Sequence, residues 1–89
     1  MKPFRFSNHA LEEIERRQIP LTYVEAVLEN PQQVVVERYG CSAYQSKVDF
    51  GTGGDIYILR VIVDDKKDPA MVITAYRTSK ISKYWRTEQ

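Results

Sequence analysis

The hydrophobic period of this chain changes once, near residue 31, and that switch constrains the architecture more than any other feature. Before it, apolar residues recur at helical spacing: Ala10, Leu11 and Ile14, then Tyr23, Val24, Val27 and Leu28. After it, β-branched and aromatic residues take over at strand spacing. A stripe of period 3.6 and a face of period 2 bury different sets of side chains, so neither segment can stand in for the other. Helices come first and strands second, which predicts an α+β fold with the helices on one face of the sheet.

Local signals refine this order. Phe4–Phe6 is a short extended lead-in. Ser7 is a good N-cap, because its hydroxyl accepts a bond from an otherwise unpaired N–H of the first turn. The first helix is predicted to fail at Arg17-Gln18, since Ile19 precedes Pro20 and is pushed toward extended geometry. Thr22 and Glu25 read as a capping box for a second helix that closes at Asn30-Pro31. Four antiparallel strands are predicted next, at Gln33–Tyr39, Ala43–Phe50, Ile56–Asp64 and Met71–Thr78. Gly51-Thr52-Gly53-Gly54 reads as a hairpin loop, not a phosphate loop, because no Lys-Ser/Thr follows it. Ile81, Tyr84 and Trp85 suggest a short C-terminal helical turn. The expectation is two N-terminal helices packed on a four-stranded antiparallel sheet, with residues 1–89 as a single domain.

Composition narrows the function classes. Thirteen basic and twelve acidic residues leave a net charge of +1, so the chain carries no strong overall field. With 43% hydrophobic residues it is composed like a folded domain. No apolar run approaches the roughly 18–20 residues that span a bilayer, and the N-terminal segment lacks the apolar stretch of a signal peptide. A cytoplasmic protein without a membrane role is expected. Cys41 is the one cysteine and His9 the one histidine, so no disulfide, metal site or cofactor motif is predicted.

Three features carry potential chemistry. Arg60 interrupts an apolar strand face formed with Ile56, Ile58 and Ile62, and a charge there needs an acid, solvent or a ligand. Asp49 or Glu37 on a neighbouring strand is one reading, and an anion is the other. The segment from Arg77 to Arg86 holds Arg77, Lys80, Lys83 and Arg86 without an acid, interleaved with Tyr84 and Trp85. Cations matched to phosphates and aromatic faces matched to bases suit single-stranded nucleic acid, whereas a solvated helix face is the plainer reading. His9, near the start of the first helix, is followed at i+4 steps by Glu13 and Arg17. An oriented imidazole beside a guanidinium suits general base chemistry at a phosphate, and a helix-end surface histidine is the alternative.

Ser7-Asn8-His9-Ala10, Arg17-Gln18-Ile19, the helix ending at Asn30-Pro31 and the run Met71–Arg77 resemble a family of small bacterial proteins with a His-Ala helix. That family is similar to BrnT-type and RelE/ParE-like toxins of the barnase-like ribonuclease fold. Glu13 stands where the family often has an arginine, and Gln18 replaces its usual glycine. The resemblance implies a metal-independent endoribonuclease toxin that acts on RNA and is held inactive by a small antitoxin protein. It assigns His9, Arg60, Arg77 and Tyr84 to catalysis and Arg17 and Lys47 to phosphate binding; with Tyr76 as a stacking ring and Lys80 and Lys83 of the basic tail, these complete the expected substrate contacts. The alternatives are a catalytically inactive relative that binds RNA or protein, and an interaction subunit whose apolar face at Ile56, Ile58 and Ile62 is covered by a partner chain. The sequence leaves the oligomeric state open.

Overall fold

A computed structural model describes residues 3–51 and 53–87. In chain order the elements are β1 (Phe4–Phe6), α1 (Asn8–Arg16), α2 (Leu21–Glu29), β2 (Gln33–Val36), β3 (Cys41–Asp49), β4 (Ile56–Asp64), β5 (Ala70–Thr78) and α3 (Ile81–Tyr84). The strands form one sheet in the order β1-β5-β4-β3-β2. β2 to β5 run antiparallel to their neighbours, as expected. The lead-in is a fifth strand, however, with Phe4, Arg5 and Phe6 paired in parallel with Ala70, Met71 and Val72. The sheet is therefore mixed. Three residues are too few to show a period; the pairing satisfies backbone groups on the edge of β5 that would otherwise be bare.

The helix ends follow from local chemistry. Ser7 Oγ accepts from Ala10 N at 3.0 Å, the predicted cap. At the other end, Ile19 N donates to Ile14 O and Gln18 N to Glu15 O. Gln18 itself adopts φ 56°. This is a Schellman closure, with Ile14 and Ile19 both buried where the motif brings them together. The expected capping box at Thr22 does not form. Pro20, extended at ψ 131°, caps α2 without a side-chain bond, so Thr22 falls inside the first turn. β2 also stops at Val36 rather than at residue 39. Tyr39 (φ 59°) and Gly40 (φ 74°) take left-handed conformations there and turn the chain directly into β3.

Both long helices pack on one face of the sheet. Ala10, Ile14, Ile19, Val24, Val27 and Leu28 meet Leu59, Val61, Val63, Val72 and Ala75 in one core. The opposite face is not bare. Val35, Ala43 and Ile58 lie on that face by register and are buried, and the C-terminal segment crosses part of it. Gln45 Nε2 donates to Tyr84 O, and Gln33 exchanges two bonds with Arg86, its Nε2 donating to the Arg86 carbonyl and its Oε1 accepting from the Arg86 amide. Of the apolar patch expected to need a partner chain, Ile58 is buried within this chain and Ile62 half-buried, leaving Ile56 exposed.

Candidate functional site

Arg60 sits at the centre of the tail-covered face. Its residue is 2% exposed, and each guanidinium nitrogen has a partner. Nε donates to Gln45 Oε1 at 2.7 Å, Nη1 to the Tyr76 hydroxyl at 2.6 Å, and Nη2 to Glu37 Oε2 at 2.7 Å. The Tyr84 ring lies 4.5 Å from the guanidinium carbon. Of the two readings of Arg60, the acid on a neighbouring segment is the one realised, with Glu37 rather than Asp49. Burial pushes the Tyr76 hydroxyl above the ordinary tyrosine range, opposed by the bond from Arg60. Gln45 is the member of this cluster that sequence reasoning missed. Only the register, which sets Gln45 opposite Arg60, identifies it.

Arg77 lies on the other face. It pairs with Leu59 while Tyr76 pairs with Arg60, so the two arginines point to opposite sides of the sheet. The Arg77 guanidinium covers an aromatic group instead, 4.7 Å from the Phe50 ring centre and 5.2 Å from that of Tyr57. The four residues assigned to catalysis, Arg60, Arg77, Tyr84 and His9, are therefore not brought to one place. A five-stranded sheet separates Arg60 and Tyr84 from Arg77 and His9.

The helix side brings together a different set. Glu13 Oε1 receives Arg16 Nη2 at 2.6 Å and Arg17 Nη2 at 2.7 Å, and Glu13 Oε2 receives Arg16 Nε. Arg17 Nη1 also reaches β5, donating to Ala75 O at 2.8 Å and to Thr74 Oγ1 at 3.3 Å. His9 is exposed one turn before Glu13 on the same row. The Arg16 hydrogen bond, aided by the charges of Arg16, Arg17 and His9, holds the Glu13 carboxyl below its ordinary value. Its counterpart is a raised Arg16. Two guanidiniums share the one carboxylate of Glu13, while Glu12 and Glu15 add two further acids to the same helix. Arg16 and Thr74 were not singled out from the sequence. Helical spacing alone gives Arg16, but Thr74 depends on the packing of α1 along β5.

α1 starts beside Val72, where Ser7 N donates to Val72 O, and ends with Arg17 at Ala75. Arg77 lies two residues further along the same face. From Val72 to Arg77 a strand advances roughly 16 Å, so His9 and Arg77 stand toward opposite ends of the seam with Arg17 between them. The remaining predicted residues surround the tail. Lys47 lies 4.6 Å from the Trp85 ring centre and Lys83 5.2 Å from that of Tyr84, and Lys80 is exposed before α3. Among the described residues no group of histidine, cysteine and carboxylates is arranged to hold a metal ion. No described helix is long and apolar enough to cross a membrane.

The chain belongs to the family DUF4258, described as a domain of unknown function, which matches residues 6–77. The match takes in the whole seam from His9 to Arg77 and ends before Lys80, Lys83 and Tyr84. Neither the curated proteins nor the solved structures give a match.

Proposed function

We propose that this domain is the toxin of a type II toxin–antitoxin pair, a metal-independent endoribonuclease that works at the α1–β5 seam. The observation that carries the reading is the row His9–Glu13–Arg17, in which Arg16 and Arg17 share the single carboxylate of Glu13 next to an exposed imidazole. A neutral imidazole takes the proton of a ribose 2′-OH, O2′ attacks the adjacent phosphorus, and the P–O5′ bond breaks. The departing 5′ oxygen takes a proton from solvent. The products are a 2′,3′-cyclic phosphate and a 5′-OH. The guanidinium of Arg17, which reaches β5 as well as Glu13, favours the additional negative charge on phosphorus during attack. Arg77, further along the seam, suits a flanking phosphate, and the basic tail suits the strand beyond. Arg60, Tyr76 and Tyr84 then serve to seat the tail rather than to touch the reacting atoms.

A second reading is an inactive relative that binds RNA or protein. It is favoured by the internal neutralisation of Arg60 by Glu37 and of one seam guanidinium by Glu13. Incubation with total RNA in EDTA separates the two. Fragments ending in 2′,3′-cyclic phosphate support the nuclease. Salt-sensitive RNA binding without cleavage supports the binding module.

A further inference from the structure

The far edge of the sheet, β2, has exposed apolar side chains and a definite backbone polarity. Val34 is 53% exposed and Val36 80%, and Tyr39, in the turn that follows, is 89% exposed. The ladder fixes which backbone groups point outward. Glu37 N donates to Cys41 O at 2.8 Å, one step beyond the pair Val36↔Ser42. In an antiparallel ladder only alternate residues turn their N–H and C=O toward a given neighbour. Glu37, Val35 and Gln33 face β3, so Val34 and Val36 direct theirs away from the sheet. Among the described residues no strand pairs with that side.

We propose that β2 pairs with β2 of a second copy of this chain, antiparallel, about a two-fold axis through Val35. The run Val34-Val35-Val36 reads the same in both directions, and this is the register that uses it fully. Val34 lies opposite the second copy's Val36, and Val36 opposite its Val34. Both residues of each pair have outward backbone groups, so each pair exchanges two hydrogen bonds. Directly opposed residues share a face, so the exposed valines of both copies cover one another on the helix side. Gln33 comes opposite Glu37 and Gln32 opposite Arg38, so no like charges meet. The result is a continuous sheet with five strands from each copy. The edge is complementary to itself, exposed valines facing valines and the charged Glu37 and Arg38 facing neutral glutamines, which commits it to a second copy. The inference does not depend on the ribonuclease reading.

The test is sedimentation velocity over a rising concentration series for the wild type, Val36→Pro and Val36→Lys. A proline at 36 removes an outward N–H and leaves the ladder to β3 intact, a placement that edge strands tolerate. The wild type is expected to dimerise in the micromolar range, as suits a small interface. Either variant should raise the dissociation constant by at least about tenfold, since Val36 is buried twice per dimer. Circular dichroism establishes that the variants fold, and Val36→Lys carries the test if the proline variant does not. A wild type that stays monomeric overturns the proposal. So does a dimer that both variants leave unchanged.

Discussion

Arg60 of β4 donates to Glu37 at 2.7 Å, joining the middle of the sheet to the segment that ends its outer strand. The arginine side chain is 3% exposed and the glutamate 31%. Breaking such a pair from the acid side leaves a buried cation without its counter-charge. Glu37→Ala is expected to cost about 3 kcal/mol in urea unfolding. Arg60→Met, which removes the charge but keeps much of the volume, should cost less. The reverse order would mean that packing, not charge pairing, dominates the cluster.

Gln18 closes α1 with φ 56° and is exposed. A non-glycine residue there is strained, while glycine is not. Gln18→Gly is expected to stabilise the domain by about 0.5–1 kcal/mol net of the extra freedom it gives the unfolded chain. Thermal unfolding should show a rise of a few degrees. A fall would show that the Gln18 side chain makes a contribution larger than the backbone strain.

The seam should respond to acid in a defined direction. Glu13 is held below its ordinary value of 4.5, chiefly by the Arg16 hydrogen bond. A carboxyl lowered in the fold stabilises it above the unfolded value, and that contribution is lost as pH falls through the folded value. The stability difference between wild type and Glu13→Gln should be constant at neutral pH and shrink below 4.5, read from urea midpoints across a pH series. A difference that grows on acidification would contradict the pairing.

Arg77 has two possible uses, and substitution separates them. As a flanking phosphate contact it needs positive charge, whereas its position over Phe50 and Tyr57 uses the flat guanidinium. Arg77→Lys should retain much of any RNA affinity and Arg77→Ala should weaken it, with a shallower salt dependence by about one charge. Equal RNA binding by all three would leave Arg77 with a packing role alone.

What the sequence discloses depends on range. Ser7 and the break at Gln18 are legible because caps and left-handed closures are settled within one helical turn. The periods of β3 to β5 are legible because each strand is nine residues long. β1 is not, because its partner lies more than sixty residues away and the alternation of Phe4, Arg5 and Phe6 is too short to establish a strand. The same holds at the sites. His9, Glu13 and Arg17 are grouped by helical spacing alone, and Arg60 stands out as a charge in an apolar run. That Arg60 faces Gln45 and Tyr76 and is separated by the sheet from Arg77 follows from register. A single residue of slip would exchange the faces.

The most direct test of the account is RNA cleavage in EDTA by wild type, His9→Ala and Arg60→Met, with folding of each established by circular dichroism. Cleavage by the wild type is expected to fall on the order of 10²–10⁴-fold in His9→Ala, while folded Arg60→Met stays active because its side chain lies on the other face of the sheet. Undiminished cleavage by His9→Ala, or its loss in a folded Arg60→Met alone, would contradict the placement of the reaction at the α1–β5 seam.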